Sequence, residues 1–323
     1  MKFPVLLFIS TFLPLLSSCG GGGTQVADGG VGGTGITAGK VTSTDTQTNT
    51  IIVNGVSFDT QDTSFIVEEA FVDDGSAIQV GMVVQVTGDH DGIRGVAEQV
   101  EYADLLEGVV TKVTPGKNSF TVMGQIVYVD ANTEYANLAD ITALQINAVV
   151  EVSGYSGIDG ILATRAEVKL DVWEEGDELE IKGIVTGLTQ DTFLIGDLIV
   201  DWSTAIHLPD GVPQEGWYVE VKGDHFNDIT GAFIANEVEK EGDGDQTIAD
   251  DGTEVEIEGL VTSELVDNRF TLNGQPVEIN ASTVFDPVES GSSGIQPGVL
   301  LEVEGIMFGE VLVAYEIEFE DDD

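Results

Sequence analysis

A five-residue sequence pattern occurs four times along the chain, and it constrains the fold more than any other feature. In each copy a Val/Leu-x-Val-x-Gly segment follows a small residue, and an Ala-x-x-apolar-Glu segment ends the unit. The four pattern segments are residues 84–88, 150–154, 219–223 and 301–305. The preceding small residues are Gly81, Asn147, Gly216 and Gly298, and the final glutamates are Glu101, Glu167, Glu239 and Glu318. Repetition at near-constant spacing predicts one supersecondary unit copied along the chain.

Each copy has the strand and turn signals of a small β-barrel. The copies open at Gly39, Gly108, Gly183 and Gly259. Asn54-Gly55 and Asn273-Gly274 are strong two-residue hairpin signals, because both central residues must adopt positive φ. Three meandering strands, a short helix or loop and a final hairpin follow the order of an OB-fold, in which barrel closure removes exposed strand edges. The sequence therefore predicts an all-β chain of four tandem small OB-fold-like five-stranded β-barrels, with SH3-like barrels or small open sandwiches as alternatives.

The strand patterns also predict the domain boundaries. The predicted units are repeat 1 (36–103), repeat 2 (104–171), repeat 3 (178–241) and repeat 4 (253–320). The acidic linkers 171–180 and 241–254 lack apolar periodicity, so few contacts are expected to cross them. Each unit can bury only a modest core, so neighbouring copies are expected to support one another.

The first 35 residues predict export and a lipid anchor. Lys2 precedes a short apolar stretch, and Leu16-Ser17-Ser18-Cys19 ends it. This length and these small residues indicate a signal peptide over 1–18. The segment Leu16-Ser17-Ser18-Cys19 resembles a bacterial lipobox, which implies lipidation of Cys19, the only cysteine. Residues 19–35 form a predicted Gly-rich tether. The absence of aspartate after the cysteine, by resemblance to bacterial sorting rules, favours the outer membrane of the cell envelope, on its periplasmic or exposed face.

The charge of the chain limits its partners. It contains 58 acidic and 11 basic residues. Nucleic-acid binding depends on phosphate neutralisation by Lys and Arg, so a nucleic-acid partner is not expected. The same charge repels an anionic membrane surface, and the tether should hold the domains away from the bilayer. The expected partners are the membrane, through the lipid anchor, and an envelope protein or polysaccharide.

The lipobox, the tether and the spaced repeats together resemble a bacterial lipoprotein family, the domain of unknown function DUF5666. The resemblance covers about residues 36–320 and depends on the Gly-x-x-Val-x-Val-x-Gly and Ala-x-x-Val-Glu patterns. Asn147 stands where the family pattern has glycine. The resemblance implies a β-fold and export, and it supplies no catalytic residues.

Two segments contain metal-ligand side chains. Asp89, His90 and Asp91 form a hairpin tip that combines imidazole with carboxylates, which suits a transition metal. Copies 2 and 4 replace these residues, so a polar hairpin tip is the favoured interpretation. Asp243, Asp245 and Glu254 match positions one, three and twelve of an EF-hand loop, but Ile248 occupies the glycine position. The sequence thus predicts no cofactor beyond weak calcium binding.

Other recurrent polar and aromatic residues favour structural roles. Alternation places Glu101, Glu167, Glu239 and Glu318 on the solvent side of the final strands. Trp173, Trp202 and Trp217 could stack on a sugar ring, although a core position is favoured. We therefore expect a non-enzymatic, lipid-anchored binding or spacer module. A calcium-dependent adhesive rod and, less favoured because the three histidines are dispersed, a glycan-processing enzyme are the alternatives.

Overall fold

The computed structural model describes residues 35–227, 229–240 and 249–320. The predicted signal peptide, Cys19, most of the tether, Asp243 and Asp245 lie outside the described residues. Within those ranges the chain forms β-strands and four short 3-10 turns, at Gly75–Ala77, Pro115–Lys117, Ile141–Ala143 and Ser292–Gly294. None of the helical segments in the described part is long and apolar enough to cross a membrane. The predicted all-β class is confirmed.

Repeat 1 forms a five-stranded barrel and two further short strands. Its strands are β1 (Gly35–Asp45), β2 (Thr50–Val53), β3 (Val56–Asp59), β4 (Ser64–Val67), β5 (Ala70–Val72), β6 (Val83–His90) and β7 (Arg94–Tyr102). β1, β2 and β3 form an antiparallel meander, β3 runs parallel to β7, and β6 pairs with both β7 and β1. This circular order is that of an OB-fold, and each of the five strands pairs with two others of the ring.

Repeat 2 has the same circular order. Its strands are β8 (Leu106–Thr114), β9 (Ser119–Val122), β10 (Gln125–Tyr128), β11 (Glu134–Ala136), β12 (Val149–Gly157) and β13 (Gly160–Leu170). β10 runs parallel to β13, and β12 closes the ring onto β8. The short strand β11 pairs parallel to β13, as β4 does to β7 in repeat 1. The segment predicted as short helix or loop is a loop with one 3-10 turn.

Repeat 3 follows the same strand order with more interruptions. Its strands are β14 (Leu179–Ile184), β15 (Thr192–Ile195), β16 (Leu198–Asp201), β17 (Tyr218–Gly223), β18 (His225–Asn227), β19 (Ala232–Ile234) and β20 (Glu237–Lys240). The final hairpin is split, so that β17 pairs with β20 and β18 with β19. β16 runs parallel to β19, and a single bridge between Thr186 and Leu194 connects the first strand to the second.

Repeat 4 repeats the arrangement once more. Its strands are β21 (Glu254–Leu260), β22 (Arg269–Leu272), β23 (Gln275–Glu278), β24 (Val284–Asp286), β25 (Leu300–Phe308) and β26 (Val311–Phe319). β23 runs parallel to β26, β25 pairs with β21, and a bridge between Val261 and Leu272 completes the ring. The prediction of OB-fold-like barrels is therefore confirmed.

The glycine that closes the Val-x-Val-x-Gly pattern lies at a β-bulge and does not form the turn that its sequence context suggests. A turn conformation is the simplest expectation for the glycine that closes Val-x-Val-x-Gly, but Gly154 and Gly305 lie within strands and are not among the positive-φ residues. The ladder register shifts at both positions. A Cβ on Gly154 would lie 2.1 Å from the Leu162 carbonyl oxygen, and one on Gly305 would lie 2.5 Å from that of Val313. The turn expectation is wrong, and close backbone approach at a β-bulge explains the glycine.

Asn147 adopts the conformation that its glycine counterparts adopt. Its φ is 73°, compared with 90° for Gly81 and 87° for Gly298. Asparagine tolerates the left-handed region better than most residues. Its side-chain amide also donates to the Trp173 carbonyl oxygen at 3.3 Å. The turn before the signature is therefore preserved in repeat 2 despite the substitution.

The barrels are joined by strand pairing. β8 of repeat 2 pairs antiparallel with β14 of repeat 3, and β1 of repeat 1 pairs parallel with β21 of repeat 4. A single cluster of buried apolar side chains runs through repeats 2 and 3, whereas repeats 1 and 4 have separate clusters. The expectation that few contacts cross the 171–180 linker is wrong, because an edge of each barrel is completed by the other.

Candidate functional site

A large depression of the described surface lies between repeats 2 and 4. This inter-repeat cleft has a volume of about 880 Å³. Repeat 2 lines it with the end of β10, the residues that follow β10 and the turn between β12 and β13, and repeat 4 lines it with residues 297–300. Tyr128 stands at its wall with 38% of its surface exposed. The cleft is also lined by polar side chains with carboxylate or amide groups, those of Asp130, Asn132, Asp159 and Glu264. The cleft thus combines one exposed aromatic ring with several hydrogen-bonding side chains.

A row of glutamates borders a second depression that continues the cleft. Glu258, Glu302 and Glu318 lie directly opposite one another on β21, β25 and β26. All three line the adjoining depression of about 460 Å³, where Lys40 is the only basic side chain among the described lining residues. Burial, followed by the Glu256 and Glu320 carboxylates, raises the pKa of Glu302 to about 9. This lining is unfavourable for an anionic ligand.

His90 lies at the boundary between repeats 1 and 4. Its Nε2 is 3.8 Å from Glu256 Oε2 and 3.5 Å from Thr37 Oγ1, and its Nδ1 accepts the Gly92 backbone N–H at 3.2 Å. One ring nitrogen faces both the hydroxyl and the carboxylate, whereas a catalytic relay uses one nitrogen for each. Thr37 is also only 1% exposed. This geometry does not suit nucleophilic catalysis.

Glu256 is a buried acid in that same boundary. It is 5% exposed, and its Oε1 is buried without a hydrogen bond. Burial, followed by the Glu304 carboxylate, raises the pKa of Glu256 to about 8. The strand pairing that joins β1 to β21 places it opposite Thr37.

The metal candidates from the sequence are not brought together into a ligand group. Asp89 and Asp91 are exposed, and Asp91 accepts the backbone N–H groups of Ile93 and Arg94 as a turn residue. Glu254 accepts the Tyr315 hydroxyl at 2.8 Å. Its two predicted partners, Asp243 and Asp245, lie outside the described residues. Among the residues that the structure describes, the groups of three acidic ligands within 4.8 Å of one another occur elsewhere, around Asp104.

Asp104 lies in a small cavity where repeats 1, 2 and 3 meet. This junction cavity has a volume of about 220 Å³. Its acidic lining residues are Glu68, Asp104, Glu107, Glu151, Glu178 and Glu180, and Lys169 is its basic one. Glu107 lies directly opposite Glu151 on one side and Glu180 on the other, because β8 pairs with both β12 and β14. Like charges placed directly opposite one another destabilise a sheet.

Two lysines reduce this repulsion in part. Lys182, with an 8% exposed side chain, lies 2.8 Å from Glu180 Oε1, 3.7 Å from Glu68 Oε2 and 3.9 Å from Asp104 Oδ1. Lys169 donates to Glu151 Oε2 at 2.5 Å and is 3.9 Å from Glu107 Oε2.

The pKa values of the junction acids reflect burial first and repulsion between carboxylates second. Burial and then the Glu68 carboxylate raise the pKa of Asp104 well above its ordinary value. Burial also raises the pKa of Glu180 to about 7, although Lys182 opposes this change. The acids of the cavity are therefore held close together at an electrostatic cost.

Sequence reasoning did not single out Glu151 of the junction cavity or its counterparts in repeats 3 and 4. Glu151, Glu220 and Glu302 occupy the same middle position of the signature, which strand alternation assigns to the outer face of a barrel. Glu151 and Glu220 are nevertheless buried and Glu302 is half-buried. The final glutamates divide in the same way: Glu101 and Glu318 are exposed, whereas Glu167 and Glu239 are half-buried.

The three tryptophans pack on the shared core of repeats 2 and 3. Trp173, Trp202 and Trp217 are partly buried against it. Lys240 Nζ lies 5.4 Å from the centre of the Trp217 ring. Their positions favour the core interpretation over a sugar platform.

Fold and sites together define a protein of tandem OB-fold-like repeats with ligand-sized depressions at the repeat boundaries. The sequence profile of a domain of unknown function, DUF5666, matches residues 38–101, 107–167 and 258–318, which together make up more than half of the chain. The chain belongs to this family. The matches fall in repeats 1, 2 and 4, and repeat 3 shares their strand order without a match. A search of curated proteins finds no significant match.

Proposed function

We propose that this protein is an exported, lipid-anchored, non-enzymatic binding module of the bacterial cell envelope, and that its ligand is an uncharged polysaccharide. The observation that carries the proposal is the inter-repeat cleft, where the exposed Tyr128 ring stands among acidic and amide side chains. An aromatic face packs against the apolar face of a sugar ring, and carboxylate and amide oxygens accept hydrogen bonds from its hydroxyls.

The charge of the cleft supports a neutral ligand. Asp130, Asp159, Glu264 and Glu320 line it, and the adjoining depression adds Glu258 and Glu318, with Lys40 as the one basic residue of its described lining. An anionic polymer would be repelled over this surface. The Cys19 anchor predicted from the sequence would hold the cleft within reach of outer-membrane and periplasmic glycans.

A calcium-dependent adhesive protein is the second candidate. The acidic junction cavity favours it, because oxygen ligands from carboxylates suit calcium. Pairing of β1 with β21 brings repeat 1 against repeat 4, which disfavours an extended rod.

A binding screen tests the polysaccharide proposal. The purified protein is applied to neutral and anionic bacterial polysaccharides in the presence of a chelator, so that calcium-dependent adhesion is excluded. We expect binding to a neutral polymer and about threefold to tenfold weaker binding by Tyr128→Ala. Phe71→Ala is the matched control, since Phe71 is an exposed aromatic of repeat 1 away from the cleft. Equal losses in both variants, or binding to anionic polymers alone, would contradict the proposal.

A further inference from the structure

Asp104 is the most tightly enclosed acid of the junction cavity. It is 4% exposed, and its Oδ1 is buried and receives no hydrogen bond; the nearest ammonium group, that of Lys182, is 3.9 Å away. Burying a carboxylate without a nearby positive charge destabilises the folded protein, and a bound cation would reduce this destabilisation. The cavity that Asp104 lines is where such a partner could reside.

Two overlapping sets of ligand atoms surround Asp104. Its carboxylate lies within 4.8 Å of ligand oxygens of Glu68 and Glu180, and also within 4.8 Å of those of Glu107 and Glu151. Lys182 already lies 3.7 Å from Glu68 and 2.8 Å from Glu180, so its ammonium group compensates the first set. In the second set Lys182 is 3.9 Å from Asp104, and the two glutamates are paired with Lys169, whose side chain is 37% exposed and is able to swing into solvent.

The side chains around the second set are arranged to position ligands. The Tyr102 hydroxyl donates to Glu151 Oε1 at 2.8 Å, which fixes the orientation of that carboxylate. Pairing of β8 with β12 fixes Glu107 opposite Glu151. Supporting hydrogen bonds and rigid strands of this kind pre-organise a metal site.

We propose that the junction cavity binds one divalent cation of the calcium type through the carboxylates of Asp104, Glu107 and Glu151. Calcium takes six to eight oxygen ligands in irregular geometry, so bidentate carboxylates and water complete its shell. The ligand set contains neither imidazole nor thiolate, which disfavours zinc. A magnesium ion demands stricter octahedral geometry and should bind more weakly.

All three proposed ligands belong to repeat 2, and they lie where this repeat contacts its neighbours. Asp104 lies in the connection between β7 and β8, and its backbone N–H donates to Glu68 of repeat 1 at 2.8 Å. Glu107 lies opposite Glu180 of repeat 3. Neutralising the acids between them would strengthen the contact of repeat 2 with both neighbours. The cleft and the junction cavity are formed by different residues, so the cation site is independent of the polysaccharide ligand.

The first test is a calcium titration of the chelator-treated full-length protein by calorimetry at neutral pH and moderate salt. We expect one saturable site above a background of weak surface binding, and at least about tenfold weaker affinity in Asp104→Asn. Asp62→Asn, an exposed acid in a turn of repeat 1, is the matched control and should leave the site intact. Only unsaturable binding, or identical titrations of Asp104→Asn and Asp62→Asn, would overturn the proposal.

A second measurement distinguishes loss of the site from loss of the fold. Without calcium, Asp104→Asn should melt at or above the wild-type temperature, because the substitution removes a buried like charge. With millimolar calcium the wild type should gain thermal stability and the variant should not. If Asp104→Asn fails to fold, Glu107→Gln takes its place in both experiments. An equal calcium-induced gain in wild type and in the folded variant would refute the site.

Terbium supplies a local probe of the same site. This ion resembles calcium in size and emits when a nearby aromatic ring is excited, and Tyr102 contacts the proposed ligand Glu151. We expect tyrosine-sensitised emission that calcium displaces, and its loss in both Asp104→Asn and Tyr102→Phe. Undiminished emission in the Asp104→Asn variant would place the bound ion elsewhere and overturn the assignment.

Discussion

Glu107 on β8 and Glu180 on β14 lie directly opposite each other in an antiparallel ladder that crosses from repeat 2 to repeat 3. The same ladder continues through a single apolar cluster that includes Leu106 and Ile181, each 1% exposed. Repeat 4, in contrast, has its own cluster, to which repeat 1 contributes Ile36. We therefore expect repeats 2 and 3 to fold together as a pair and repeat 4 to fold as a single barrel.

Fragments of the chain test this division. Residues 104–241 should unfold in one cooperative transition, since the two barrels share a core. Residues 178–241 alone should be largely unfolded, because the β14 edge and the apolar residues facing repeat 2 lose their partners. Residues 253–320 should fold by themselves, although with marginal stability. Amide NMR dispersion is the measurement, and a well-dispersed spectrum from 178–241 alone would contradict the shared core.

The signature glycines should be intolerant of any side chain. Gly154→Ala would place a Cβ 2.1 Å from the Leu162 carbonyl oxygen. Relieving that overlap distorts the bulge, at a cost of about 1–3 kcal/mol in the free energy of unfolding. Gly116→Ala is the control, because no atom lies within 4 Å of its added Cβ. Chemical denaturation measures both, and equal stability of the two variants would show that the bulge adapts without cost.

The barrel order could be predicted because local signals encode it. Asn54-Gly55 and Asn273-Gly274 form the expected hairpin turns with positive φ at both residues. Alternation along β25 and β26 separates buried from exposed side chains, as in Met307 and Phe308. Turn chemistry and period-two alternation act within one unit, so one unit at a time is predictable from them.

The junction cavity could not be predicted in the same way. Glu107 and Glu151 lie opposite each other on β8 and β12 within repeat 2, whereas Glu180 comes from repeat 3 and Glu68 from repeat 1. The approach of Glu180 to Glu107 depends on which barrel edges pair, and that choice has no signature in local periodicity. Asp104 lies in a connection where a polar residue is unremarkable in sequence, and packing of three repeats buries it.

The anchor predicted from the sequence is tested by Cys19→Ser. Without the thiol, the lipobox-like signal offers no residue for acylation, so the variant should leave the membrane fraction or accumulate unprocessed. Fractionation and mass measurement of the mature protein separate these results. Ser17→Ala, which leaves the cysteine in place, is the control. A processed Cys19→Ser protein that still fractionates with membranes would contradict lipid anchoring.

Thermal stability should fall as the pH rises from about 5 to about 9. Glu256 and Glu302 have pKa values raised from 4.5 to about 8 and about 9, because burial and neighbouring carboxylates favour their protonated forms. The unfolded chain binds fewer protons than the folded chain over this interval. The stabilising contribution of the two acids is therefore complete below about pH 4.5 and is lost as the pH rises to their folded-state pKa values. Melting curves in chelator at several pH values measure the effect, and a melting temperature that rises across this interval would refute it.

Amide substitution of the two acids should flatten this pH dependence. Glu256→Gln with Glu302→Gln keeps the shape of the protonated side chains and removes their ionisation, so the double variant should match the wild type in mild acid and melt higher in mild alkali. A tenfold difference in proton affinity between the folded and unfolded chain is worth about 1.4 kcal/mol, which makes the difference at high pH readily measurable. Glu98→Gln, an exposed position on β7, is the control and should follow the wild type throughout. If the double variant follows the wild type as well, the boundary of repeats 1 and 4 is not where the alkaline loss of stability arises.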